Sequence, residues 1–399
     1  MARFLSAWTV AALLPLLVAG CIGSGSLLPP GAVGSVNSDA TDQPAAAGDT
    51  IGNGSVRVAL LLPLTGPGQG AVAAQSLRNA AALAVAEFQD PDITLLVKDD
   101  RGTPEGARNA ASQAIEEGAE LIIGPLFAGS VQAAGQVARQ AGRPVIAFST
   151  DASVGARGVY LLSFLAQAEV DRIVDHAAAQ GRRAVAALIP ETTYGSVVEA
   201  QFREAAARRG LRVAAIERYA QGQPQPAVQR LATVIGGSAP QVDALFVPEN
   251  GEGLAIVAQA LQTVGFDPQR VKPLGTGLWN DARVFNLPVL QGGWFAAPDN
   301  RGFNAFASRY RARYNADPTR LATLAHDAVS LAAALSRTQG SQRFSEGVLT
   351  NPSGFAGADG VFRFRPDGLN DRALAVQEVR GGGAATVSAA PRVLAPPGT

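Results

Sequence analysis

One cysteine, one methionine, two histidines and two lysines are all that the 399 residues hold of these types. The lone cysteine, Cys21, excludes an intramolecular disulfide framework. His176 and His326 fall far apart, each inside a helical pattern, so neither a zinc cluster nor a histidine-based triad has its parts. A Gly-x-Ser-x-Gly elbow and a P-loop are both missing. Gly66-Pro67-Gly68-Gln69-Gly70 follows a strand pattern, but its glycines alternate instead of keeping the dinucleotide-loop spacing. An excess of either charge is lacking too: 33 basic and 33 acidic residues cancel, which excludes the concentrated positive field of a nucleic-acid surface. Nor is there a spanning run, since Phe4 to Val18 is interrupted by Ser6, Thr9 and Pro15 and falls short of the roughly 20 apolar residues a membrane helix needs. These absences point to a protein that is not an enzyme and holds no cofactor or metal.

What the N-terminus does contain is a basic start at Arg3, an apolar stretch and the small residues Val18-Ala19-Gly20, which read as a signal peptide over residues 1–20. Cys21 follows directly, and this placement resembles the bacterial lipobox, in which the cysteine exposed by cleavage carries diacylglycerol. Acyl chains contribute about 0.8 kcal/mol per buried CH₂. The expected protein is therefore lipid-anchored in the cell envelope and faces the periplasm. Residues 21–55 are rich in Gly, Ser, Pro, Ala and Asp, too polar and small to fold, and are expected to be a disordered tether behind the lipidated cysteine.

At Val56 the composition changes. Val-Arg-Val-Ala-Leu-Leu-Leu is the continuous apolar run of a strand covered on both faces. Strand and helix patterns then alternate to Leu274, with Thr103 and Pro104 supplying an N-cap and first-turn proline for one helix. Repeated βα units imply mainly parallel sheets flanked by helices, and a body of this length exceeds one comfortable core, so two lobes are expected. The segment from 301 to 336 reads as helical, extended segments return near Val361 and Ala373, and residues 383–399 read as a disordered tail.

From Val56 to about Arg380 the chain resembles the type I periplasmic binding proteins, in the leucine/isoleucine/valine-binding branch. The resemblance is carried by Leu61-Leu62-Pro63-Leu64-Thr65-Gly66-Pro67, Lys98-Asp99-Asp100, Ile122-Ile123-Gly124-Pro125, Tyr194-Gly195 and His326-Asp327-Ala328, in that order. Within the branch the chain is similar to lipoproteins called penicillin-binding protein activators, whose domain begins with a similar Val-Ala-Leu-Leu-Leu-Pro-Leu strand. The resemblance implies a two-lobed fold with three hinge crossings, residues 56–162 and 295–367 forming lobe one and 163–294 and 368–382 lobe two. It also implies a small polar ligand, such as an amino acid or amide, held between the lobes for an ABC permease or for sensing. The alternative it implies is an outer-membrane lipoprotein that activates a peptidoglycan synthase through protein contacts. Ile22 after Cys21, in place of aspartate, fits the outer membrane.

Ligands of open α/β sheets bind beyond the carboxyl ends of strands. That selects Thr65, Ser130, Ser149, Thr150 and Asp151 in lobe one and Tyr194, Asn250 and Trp279 in lobe two. Ser130 is expected at a helix N-cap, Tyr194 as a ring stacked over the ligand, and Trp279 as an aromatic facing the cleft. Trp294 and Phe295 are expected in the core. Asp151 stands near a position where the family commonly has threonine, and Gly275-Thr276-Gly277 lacks the acid that commonly meets a ligand's ammonium group, so the resemblance does not imply an ordinary α-amino acid.

Overall fold

The computed structural model describes residues 49–394. The expected signal peptide, Cys21, residues 22–48 of the tether and the last five residues of the tail lie outside the described residues. No helix among those described is long and apolar enough to cross a membrane.

The first sheet is built from β1 (Thr50–Gly52), β2 (Val56–Leu62), β3 (Ile93–Asp99), β4 (Leu121–Ile123), β5 (Val145–Ala147) and β6 (Val159–Leu161), in the order β1-β3-β2-β4-β5-β6. The pairings from β2 onward are parallel. Helices α1 (Gln69–Glu87), α2 (Pro104–Glu116) and α3 (Ala128–Gln140) connect them. The apolar run at Val56 does what its pattern requires: Val58, Leu60 and Leu62 enter one core, while Ala59 and Leu61 enter a second core on the opposite face.

After β6 the chain crosses at residues 162–165 into α4 (Ala166–Ala179), β7 (Ala184–Pro190), α5 (Thr193–Arg208), β8 (Arg212–Tyr219), α6 (Gln225–Ile235), β9 (Ala244–Phe246), α7 (Gly251–Thr263), β10 (Lys272–Gly275) and β11 (Trp294–Ala297). It returns through residues 298–299 to α8 (Asn300–Tyr314), α9 (Ala322–Thr338) and α10 (Glu346–Leu349), whose apolar residues join the core of the first sheet. A small antiparallel sheet of β12 (Phe355–Gly357), β13 (Gly360–Phe364) and β14 (Asn370–Arg372) adds Phe362 and Phe364 to that core. Residues 373–374 make the third crossing, to β15 (Ala375–Arg380) and β16 (Gly383–Ser388). The second sheet has the order β16-β15-β11-β10-β9-β7-β8, with β15 and β16 antiparallel to their neighbours. Two lobes, parallel sheets between helices and three crossings are the architecture expected.

The boundaries differ in particulars. β11 pairs with β10 and β15, so residues 295–297 belong to the second sheet and not, as expected, to lobe one. β14 pairs with β13 beside the lobe-one core, which moves the third crossing from 368 to 373. β1 lies inside the span expected to be tether and pairs with β3, with Ile51 against the core. β16 lies inside the expected disordered tail; it folds back on β15 across Gly381 and Gly382, a two-residue turn in which Gly382 takes a φ of 79°.

Candidate functional site

In lobe one Thr65 after β2, Asp99 at the end of β3, and Ser149 and Asp151 after β5 are engaged with neighbouring loop residues. The Thr65 hydroxyl donates to Asp99 and its amide lies 3.3 Å from the same carboxylate, which pins the loop after β2 to the end of β3. Burial works against ionisation of Asp99, but hydrogen bonds from Thr65 and the Arg101 amide outweigh it and lower its pKa. Ser130 is not the N-cap. Helix α3 starts two residues earlier, with Phe127 as its cap residue, so Ser130 is its third residue and turns inward, 1% exposed, with no partner for its hydroxyl among the described residues. Ser149 is buried and accepts from the Asp151 amide at 3.1 Å. Asp151 in turn accepts from the Ser153 amide at 2.9 Å and its hydroxyl at 2.7 Å, while Thr150 is exposed.

Lobe two is arranged differently. Thr192 caps α5 by accepting from the Gly195 amide at 2.9 Å, and Gly195 lets that turn press on β7, where a Cβ would stand 1.9 Å from the Pro190 oxygen. This sets Tyr194, half-buried, with its hydroxyl 2.8 Å from that of the fully buried Thr276, just after β10. Burial, with Glu169 and Glu249 nearby, pushes the Tyr194 phenol up against the opposing effect of the Thr276 bond. Asn250 caps α7, its side chain accepting from the Glu252 and Gly253 amides at 3.1 and 2.9 Å. The buried Glu249 beside it accepts from the Tyr219 hydroxyl at 2.6 Å, and Tyr219, Glu249, Asn250 and Ile256 line a cavity of about 220 Å³.

Trp279 does not face a ligand. It is fully buried, its indole N–H donates to the Val247 oxygen at 2.9 Å, and its ring lies over Gly275, where a Cβ would be 2.2 Å away. Trp294 and Phe295 are buried as expected. His176 packs on Trp294 with ring centroids 4.8 Å apart, whereas His326 bonds Glu87 at 3.0 Å on the far helix α9, so the two imidazoles do not converge.

The residue that sequence reasoning missed is Glu169. It sits in the first turns of α4, only 8% exposed, and its Oε2 accepts from the Gly277 amide at 2.9 Å. A side chain at 277 would collide with it, since a Cβ there would stand 2.5 Å from Oε1. Gly277 was therefore the available signal. Burial pushes the Glu169 carboxyl up to about 8, against the Gly277 amide and the positive charge of Arg320, which both favour ionisation. Tyr194, Thr276 and Glu169 thus converge beyond the ends of β7 and β10. Two large apolar side chains, Phe127 after β4 and Leu278 after β10, are exposed at the same ends of the two sheets.

A stability consequence follows with a definite sign. Between the ordinary carboxyl value of 4.5 and about 8, folded Glu169 retains a proton that the unfolded chain has lost. Stability therefore falls as pH rises through that window, by at most about 1.4 kcal/mol per pH unit. Glu169→Gln is expected to stabilise the protein by about 1–3 kcal/mol at pH 8 and by almost nothing at pH 4, read from denaturation curves. An equal effect at both pH values would show that ionisation is not the cause.

Comparisons with known proteins fit this architecture. A family model described as periplasmic binding protein matches residues 55–384. No curated protein matches the sequence. Among solved structures, a candidate branched-chain amino acid ABC transporter from Rhodospirillum rubrum superposes with a TM-score of 0.74 at 20% identity, over 83% of this chain and 99% of that one. A branched-chain amino acid ABC transporter periplasmic ligand-binding protein from Burkholderia xenovorans gives 0.67 at 17% identity, over 86% and 96%. An ABC transporter solute-binding protein from R. palustris in complex with benzoate gives 0.59 at 19% identity, over 86% and 98%.

Proposed function

Because the chain belongs to the periplasmic binding protein family, we propose that it is a non-catalytic receptor that closes its lobes on a small polar ligand for ABC uptake or sensing. The observation that carries this reading is the meeting of Tyr194, Thr276 and Glu169 beyond the carboxyl ends of the lobe-two strands. The phenol, held by the buried Thr276 hydroxyl, and the acid offer a donor and an acceptor to one ligand group, and the exposed Phe127 and Leu278 offer apolar surface to the rest of it. Solute-binding proteins of this fold are solved in complex with isoleucine and with benzoate, which brackets the size of ligand to try. In this reading Cys21 holds the protein by acyl chains to a membrane of the cell envelope, facing the periplasm.

Calorimetry against amino acids, small amides, aromatic carboxylates and peptidoglycan fragments tests it. At least one is expected to bind, and Tyr194→Phe, which deletes the hydroxyl bonded to Thr276, is expected to weaken that binding about tenfold. No binding at millimolar concentration across the panel rejects the reading.

One observation favours a second reading, activation of a peptidoglycan synthase through protein contacts. Thr65, Ser149 and Asp151 are engaged within lobe one, while Val72 and Phe127 are left exposed there at 56% and 41%, an arrangement suited to a protein surface. Crosslinking in intact envelopes separates the two. Recovery of a synthase supports the second reading, and recovery of permease subunits alone rejects it.

A further inference from the structure

The cavity beside Glu249 carries charge of one sign. Tyr219, Gln221, Glu249, Asn250, Glu252 and Ile256 line about 220 Å³ at the carboxyl ends of β8 and β9, and no lysine, arginine or histidine is among the lining residues. Glu249 is its buried acid, 8% exposed. Gly253 makes room for that side chain, since a Cβ there would stand 2.5 Å from the carboxyl carbon. The two carboxyl oxygens accept from the Tyr219 hydroxyl at 2.6 Å and from the Asn250 amide at 2.8 Å, which fixes the group and leaves it lone pairs to spare.

No cation of the protein answers this charge. Among the described residues Arg218 pairs with Glu199, Arg230 with Glu217 and Arg283 with Asp281, while neither Glu249 nor Glu252 makes an ion pair. The start of α7 does not invite an anion either, because its amides are spent: those of Glu252 and Gly253 on the Asn250 side chain, and that of Asn250 on Glu249. A largely buried carboxylate without a counter-charge has lost solvation that a bound cation would restore.

The cavity adjoins the groups around Tyr194. Strands at this end of the second sheet run β10-β9-β7-β8. The bond between Tyr194, after β7, and Thr276, after β10, therefore spans the end of β9, while the bond between Tyr219, closing β8, and Glu249, after β9, spans the end of β7. Adjacent strands lie about 4.8 Å apart, so a short carbon chain reaches from one bonded pair to the other. We propose that the cavity takes the positively charged end of a small ligand, an ammonium or guanidinium group seated on Glu249 and Tyr219 with Glu252 at the rim. Ile256, 41% exposed, gives the ligand's carbon stem an apolar contact. The inference rests on the receptor reading above and narrows its ligand to compact organic cations.

The test is calorimetry on the full chain at about pH 7 with putrescine and agmatine as cations, 1,4-butanediol as the neutral counterpart of putrescine and succinate as an anionic one. At least one of the two cations is expected to bind below millimolar concentration, and the diol and succinate to bind at least about tenfold more weakly. Glu249→Gln, which keeps the shape and removes the charge, is expected to weaken cation binding by about tenfold or more. Glu252→Lys, at an exposed position where folding is not at stake, is expected to weaken it comparably by fixing a cation at the rim. If Glu249→Gln does not fold, as circular dichroism would show, Glu252→Lys decides alone. Failure of both cations to bind, diol or succinate binding as tightly as they do, or cation affinity unchanged in either folded variant overturns the proposal. Binding of an amide or aromatic carboxylate without binding of the cations removes the cation subsite and leaves the receptor standing, whereas no binding by any compound rejects the receptor itself.

Discussion

Trp279→Ala is expected to cost about 3–5 kcal/mol of folding free energy, the range for deleting a large aromatic from a packed core. The indole is fully buried, and it fills space that two glycines leave for it: a Cβ on Gly275 would stand 2.2 Å from the ring and one on Gly293 would stand 3.0 Å from it. Its N–H is bonded to the Val247 oxygen at 2.9 Å, so truncation also loses that hydrogen bond and leaves the oxygen with the Glu249 amide, at 3.0 Å, as its remaining donor. Phe295 on β11, 6.4 Å away between centroids, loses its aromatic neighbour as well. The measurement is the midpoint of urea denaturation. Trp279→Phe, which keeps most of the volume and removes only the N–H, is expected to lose about 1–2 kcal/mol. If Trp279→Ala cost less than about 1 kcal/mol, the residue would be free to face the cleft after all.

Why the sequence misplaces this tryptophan is physical. Position after a strand tells which edge of the sheet a loop occupies but not how deep its side chains lie. The deciding information was in the glycines, at 275 and 293, which are separated along the chain and brought together by pairing of β10 with β11. Glu169 escaped for a related reason. An acid in the first turn of an amphipathic helix reads as a solvated, dipole-favoured residue, and only the loop at Gly277 folded over it makes it a buried one. By contrast, the strands were legible wherever side chains pay for burial, as in β2, and so was the start of α2, where Thr103 accepts from the Gly106 amide as its sequence implies. β1 and β16 were not, because edge strands of Thr, Gly and Ala gain their place from ladder hydrogen bonds that leave no mark on composition. Ser130 shows the usual error at helix ends: α3 begins two residues before it.

Asp359→Asn is expected to destabilise by about 3 kcal/mol, and the reason lies in what surrounds the crossings. The carboxylate is wholly buried and accepts from both terminal nitrogens of Arg320 and from the Thr323 hydroxyl. The amide keeps one acceptor, turns a donor toward the guanidinium and removes the negative charge. Arg320 is about a third exposed, with 31% of its side-chain surface accessible, and can recover some solvation, which holds the loss to the low end of the range for breaking a buried pair. Arg372 cannot. It is 7% exposed, its Nε, Nη1 and Nη2 have no hydrogen-bond partner among the described residues, and its nearby compensating charges are Asp359 and Asp327. Losing one of the two leaves two guanidinium groups facing a single carboxylate around Phe164. Chemical denaturation of Asp359→Asn measures the cost. Replacing both partners, as Arg320→Met with Asp359→Leu, is expected to recover most of it, because an apolar pair of similar volume carries no desolvation penalty.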